Sequence, residues 1–323
     1  MPQTDAPDTS GPRPPGKKRR GKLLSWIALV LAVGVCVWMG WGVARNWGEV
    51  SIRLSQAPPL LLAAAIAAHL AFLVFVGLCY HNSLRLAGAK VRARASLSVY
   101  LASQLGKYFP GPVVYVAGQI GLAKWLGVSV GKSVIGFTAH HIQLTATALL
   151  LAAPLLGVAW GRTATVAMVV AGLLGFLVLA TGVWVPPLNA LQRRRGKPQL
   201  EKFSPAPAFA AMFSGAASWI FYGGCGAILT LALVPECSLP GAAQVGMAAV
   251  AAWLIGFLSF ITPAGVGVRE ATFVLMVRGV IPEPTAMAMA LIMRLIYTGL
   301  QIPIGALTLG YLMRRQAAEA PTS

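Results

Sequence analysis

The residues best equipped for chemistry are charged groups set inside apolar sequence. Arg269 and Glu270 are adjacent, and Arg294 lies in the following apolar run with Tyr297 and Gln301 at helical spacing below it. Arginine presents a planar fork that matches phosphate or carboxylate, and a glutamate can pair with it or titrate. The chain has eight acidic residues, and seven of them (Asp5, Asp8, Glu49, Glu201, Glu236, Glu283, Glu319) fall in tails or expected loops. Only Glu270 is flanked on both sides by membrane-type sequence. Ionised groups in hydrocarbon are costly and face a partner or a wet cavity. Glu270 is therefore expected to pair with Arg269 or Arg294, either within a ligand site or as a structural pin between helices.

A second group precedes it: Gln104, Lys107, Tyr108, Tyr115 and Gln119. Gln104 and Lys107 are three apart and share a helix face. Near a helix end, Lys107 would complement free carbonyls, or it would snorkel to the interface. His140 and His141 point roughly 100° apart on a helix and cannot serve one site together. With no acid or cysteine near them, polar packing between helices is the expected use, as it is for His69. Gly131-Lys132-Ser133 lacks the upstream glycine that a phosphate loop requires.

Both groups sit beside interruptions in the apolar pattern. Pro263 removes a backbone donor, and Gly265 and Gly267 permit sharp turns and close approach. Pro110 and Gly111 do the same near Lys107. Irregular backbone at membrane depth is tolerated where protein or water covers it. Two broken, re-entrant segments lining a polar site are the expectation.

The rest of the chain must hold these segments in a membrane. Hydrophobic residues make up 57% of 323 residues and charged residues 11%. Several apolar runs reach the roughly 20 residues that a crossing helix needs. The expected class is all-α and polytopic, with six spans and two re-entrant hairpins. Residues 1–22 read as a disordered basic tail and 23–315 as the membrane domain, with 316–323 as a second tail. The expected spans are Leu23 to Ala44, Pro58 to His81, Val134 to Trp160, Ala164 to Val185, Ala206 to Val234 and Thr285 to Leu312, with Pro186-Pro187 ending the fourth. The interrupted regions are Ala95 to Gly127 and Ala242 to Gly279.

A net charge of +18 would suggest nucleic acid in a soluble chain. Here the excess falls in short loops. With both termini cytoplasmic, only Arg45, Arg53, Arg162 and Arg278 lie outside and Lys107, Arg269 and Arg294 lie within, leaving 19 of 26 basic residues inside. That places the protein in the inner (plasma) membrane with no nucleic-acid partner. Four cysteines show neither paired nor metal-type spacing, so no disulfide, metal or cofactor is expected.

The two interrupted regions resemble each other. Tyr108 to Val134 and Ile261 to Ala286 each carry a proline, a glycine, a dozen mostly apolar residues, then Gly-Val and a polar bend. Pro110 matches Pro263, and Gly127-Val128 matches Gly279-Val280. Halves of about 95–185 and 206–312 would form an inverted repeat with broken helices meeting around a substrate site.

The blocks GKYFPG, GLAKWLGVS and, above all, TPAGVGVREA resemble the transmembrane region of lysylphosphatidylglycerol synthases, over roughly Leu24 to Arg315. Stand-alone relatives include inner-membrane proteins and the membrane part of some archaeal glycosyltransferases. Pro110, Gly111, Pro263, Gly265, Gly267, Arg269, Glu270 and Arg294 match the family pattern. The resemblance implies a membrane part that flips an aminoacylated phospholipid, while a separate soluble domain attaches the amino acid. Only eight residues follow Arg315 here, and the early part of the span after the first hairpin reads AHHIQ, where many relatives carry an acid.

The expected function is translocation of a phospholipid or lipid-linked head group between leaflets, without enzymatic activity. Arg269, Glu270, Arg294, Lys107, Gln104, Tyr108 and Tyr297 are the expected substrate-binding residues. The alternatives are a non-transporting membrane partner of a lipid-modifying synthase and a lipid head-group transfer enzyme, for which Glu270 is the sole clear acid. Sequence leaves the lipid, the direction and the oligomeric state open.

Overall fold

The computed structural model describes residues 41, 44–45, 47–108, 112–196, 199–200, 203–258, 265 and 267–319. Within them every element is helical: α1 (Trp47–Gln56), α2 (Pro59–Leu86), α3 (Ala93–Ser103), a 3₁₀ helix (Gln104–Tyr108), α4 (Pro112–Lys124), α5 (Val130–Trp160), α6 (Arg162–Thr181), α7 (Val185–Arg194), α8 (Ala206–Leu233), α9 (Leu239–Leu258), α10 (Val268–Met276) and α11 (Glu283–Glu319). Backbone groups in hydrocarbon must be satisfied within their own segment, which is why apolar sequence of this kind folds as helix throughout.

Six described helices are long and apolar enough to cross a bilayer: Pro59–Leu86, Val130–Gly157, Arg162–Thr181, Ala206–Leu233, Leu239–Leu258 and Glu283–Ala318. The protein is a multi-pass membrane protein. This set differs from the expected six in two places. Leu23 to Ala44 lies almost entirely outside the described residues. Leu239–Leu258, expected as one arm of the second hairpin, is itself a 20-residue apolar helix.

Local signals set the boundaries. Pro59 opens α2 in the first turn, where a missing N–H costs nothing. Ser129 caps α5, its side chain accepting from the Lys132 N–H at 3.4 Å. α6 ends at Gly182, which is left-handed at φ 71°. Pro186 and Pro187 therefore do not end that helix; they lie in the first turn of α7, the position that tolerates proline.

The longest contact runs between α2 and α8, with α9 against α8 and α5 bridging to α2, α6 and α9. α11 packs along α3 and also touches α10 and the 3₁₀ helix. One helix thus receives both interrupted regions. The core is continuous across these elements and rich in alanine, with large side chains such as Trp219, Tyr80, Leu84 and Met289 fully buried.

The arms of the interruptions differ in length. α4, at 13 residues, and α10, at nine, extend for about 20 Å and 14 Å, short of a hydrocarbon core of roughly 30 Å. In both regions a glycine lets backbone approach backbone. A Cβ on Gly106 would stand 2.8 Å from Tyr115 Cα, which seats the 3₁₀ helix on α4. Gly265, at φ 67°, would place a Cβ 2.8 Å from the Gly256 carbonyl, so the chain entering α10 lies directly on the end of α9.

Candidate functional site

The Gly265 contact fixes where α10 begins. Gly267 stands at its N-cap with φ 83°. Three residues on, Glu270 reaches back and its Oε2 accepts the Gly267 N–H at 2.7 Å, half of a capping box. Its other oxygen, Oε1, lies 3.3 Å from Arg294 Nη1 on α11. One carboxylate therefore both caps α10 and ties it to α11. Both side chains are mostly buried, at 12% and 6% exposure, so the pair is largely out of water's screening.

Arg269 takes a different route. It is buried, and its guanidinium lies 5.3 Å from the Tyr222 ring centre on α8 and 5.4 Å from the Tyr297 ring centre on α11. Two aromatic faces hold the cation without neutralising it. Among the described residues no carboxylate forms an ion pair with it. His69 of α2 completes the aromatic wall, its ring 5.5 Å from Tyr297 and 6.1 Å from Tyr222, with Nε2 buried and unpartnered among the described residues.

The first interrupted region meets the same face of α11 one turn further along. The Tyr108 hydroxyl donates to Gln301 Oε1 at 3.1 Å, pinning the 3₁₀ helix to α11. Lys107 Nζ lies 5.1 Å from the Tyr115 ring centre. Through its bond to Gln301, Tyr108 brings its neighbour Lys107 to α11 one turn from Tyr297, the ring over which Arg269 lies. The three cations named from the sequence thus gather along α11, with Glu270 the one carboxylate paired there among the described residues.

Gln104 and Tyr115 lie deeper in the first region. Gln104 is fully buried, its Nε2 donating to the Tyr100 carbonyl at 3.2 Å while its Oε1 has no partner among the described residues. Pro110, Gly111 and Pro263 lie outside the described residues, whereas Gly265 and Gly267 carry the left-handed backbone that their type suggested. His140 and His141 stand with rings perpendicular, 5.2 Å apart. His140 packs between Tyr80 and Tyr100, and His141 Nδ1–H donates to the Phe137 carbonyl at 2.8 Å. Among the described residues no group of three metal-binding side chains converges.

Tyr222 and His69 are the site residues that patterning did not single out as such. Both sit within apolar spans, where an aromatic or a lone histidine gives no sign of which face it takes. The free space among Tyr222, Arg269, Glu270, Phe273 and Arg294 is about 10 Å³, room for about one water. The charges are assembled around little free volume.

The profile of the lysylphosphatidylglycerol synthase TM region matches residues 25–305, and the chain belongs to this family. No curated protein matches the chain.

Proposed function

We propose that this family member translocates a phospholipid, or a lipid-linked head group bearing phosphate, between the leaflets of the inner membrane. The observation that carries this reading is the charge balance at α11 among the described residues: buried Arg269 and Arg294, half-buried Lys107 and one carboxylate, where both interrupted regions meet. A buried excess of positive charge is costly unless an anion offsets it. Among the described residues Arg269 is positioned by rings rather than by an acid, an arrangement that suits its fork to phosphate.

Glu270 has a separate task. Both its oxygens are engaged, one by the α10 cap and one by Arg294, which suits an anchor better than an acid–base group. This favours transport over head-group transfer. The small free volume suits one stage of an alternating cycle, in which one half rocks against the other and widens the site toward a leaflet. A likeness between the halves supports that cycle: Gly127 and Gly279, paired by sequence, close α4 and the α10 region with φ 74° and 79°. The basic loops orient both termini to the cytoplasm and draw anionic lipid to that face. A synthase acting separately would supply a modified lipid as cargo.

The same anchor also suits a non-transporting partner subunit, in which Arg294 serves only to neutralise Glu270. The experiment is a leaflet-exposure assay in liposomes with head-group-labelled lipids. The transport reading expects wild-type protein to move the label. In the double variant Glu270→Leu with Arg294→Leu it expects a folded protein that does not, since replacing both buried partners by apolar residues is often neutral for stability. Movement at the wild-type rate in the double variant contradicts this site.

A further inference from the structure

A cleft of about 400 Å³ lies between α5 and α6, open along one side, in the size range of ligand pockets. Thr138, His141, Thr145 and Leu149 line it from one face of α5, and Ala171 and Gly175 from α6. The adjoining outer surface of α6 exposes Val170, Leu173, Leu174 and Leu177. On a spanning helix this is a hydrocarbon-facing surface, so what fills the cleft comes from the bilayer.

The inner end of the cleft leads toward the cations. The His141 ring lies 6.0 Å from Tyr115 and stacks on Phe257 at 5.8 Å. Tyr115 carries Lys107 over its face, and the neighbouring Tyr108 is bonded to α11 one turn from Tyr297, where Arg269 is held. Behind His141 is a second, independent sign of a polar ligand. His140 is fully buried with both ring nitrogens unpartnered among the described residues. Buried polar groups ordinarily have partners, and an imidazole with neither nitrogen bonded calls for bound water or ligand.

We propose that this cleft is a lateral portal that holds one acyl chain of a phosphate-bearing phospholipid. The chain lies along Thr145, Leu149 and Gly175, and the head group passes His141 and Tyr115 to meet Lys107. The portal rests on the translocation reading and gives it a route: the cation site is reached from the side, through the bilayer.

The test uses the full chain in phosphatidylcholine vesicles with a phosphatidic acid carrying a diazirine midway along one acyl chain. Labelling should concentrate on Thr145 and Gly175 over the outward Leu173 and Leu177. Gly175→Trp fills the cleft. A Cβ at this position meets only ordinary contacts at 3.5 Å, from Ala146 and Ile142. Labelling in the cleft should fall roughly tenfold, about 1.4 kcal/mol of binding, and lipid movement should fall with it. Ala171→Leu, a smaller plug in the same wall, should give an intermediate loss, and Leu173→Trp should give none. Equal labelling of cleft and outer face overturns the portal, as does undiminished lipid movement by a Gly175→Trp protein whose cleft labelling is gone. Cleft labelling in a wild-type protein that moves no lipid supports the cleft as a lipid site and overturns translocation instead.

Discussion

The two interrupted regions begin from similar sequence and become different structures. The first is short on both arms, tightens into a 3₁₀ helix and surrounds itself with neutral polar groups. Its single membrane-depth cation, Lys107, rests on a tyrosine. The second has a 20-residue arm and a nine-residue helix, and its charges are organised by one carboxylate. In the second region Glu270 satisfies a cap and a cation at once. In the first, Gln104 and Gln119 keep unpartnered atoms among the described residues. A common pattern of proline, glycine and apolar residues can therefore break a helix in two places without dictating what the break holds. The charge pattern decides that.

This contrast predicts where substitution hurts. The largest effect on stability is expected at Glu270→Gln, which strips Arg294 of its partner and weakens the α10 cap. Breaking a buried pair from one side costs about 3–5 kcal/mol, read as a drop in melting temperature in detergent. A protein as stable as wild type would make the second region no more tightly tied than the first.

Next comes the backbone. Gly265→Ala introduces a Cβ at positive φ and against the Gly256 carbonyl. About 1–3 kcal/mol of destabilisation is expected, from the strained backbone alone. Gly106→Ala probes the corresponding contact in the first region, against Tyr115 backbone but without a positive φ. It should cost less, and equal melting temperatures would remove the distinction.

The smallest change in stability is expected from removing an orphan. Gln119→Leu takes two unpartnered buried atoms out of the first region. Exchanging an unsatisfied polar group for an apolar one of similar shape is near neutral or stabilising, so the melting temperature should hold or rise. A marked fall would mean that the amide is firmly bonded, and that the first region is as fully satisfied as the second.

Much of this was legible in the residues. A lone membrane-depth glutamate must find a cation, and Arg294 is the cation it found, at 3.3 Å. Gly265 and Gly267 adopt backbone that disfavours other residues. Other features carry no pattern. Tyr222 lies on α8, far along the chain from Arg269, and an aromatic residue within an apolar span does not announce which neighbour it will face. The length of α9 was obscured because Pro263, Gly265 and Gly267 drew the whole of Ala242 to Gly279 into one interrupted region; its small residues instead pack closely on α8, where a Cβ on Gly223 would stand 3.0 Å from the Gly246 carbonyl. Pro186 and Pro187 signal a boundary but not which side of it they occupy. Gly182 had already ended α6.

The central claim is that Arg269 is held for a ligand and not for the fold. Arg269→Gln in reconstituted liposomes tests it most directly, with melting temperature and leaflet exposure of a head-group-labelled phospholipid measured on the same preparation. Arg269 has ring contacts but no acidic partner among the described residues, and the cost of burying its charge offsets what the rings give, whereas a charge-assisted contact to phosphate contributes about 1.5–3 kcal/mol. The expected result is an unchanged or raised melting temperature together with a roughly tenfold to hundredfold loss of lipid movement. A protein that melts lower yet moves lipid at the wild-type rate would contradict the account.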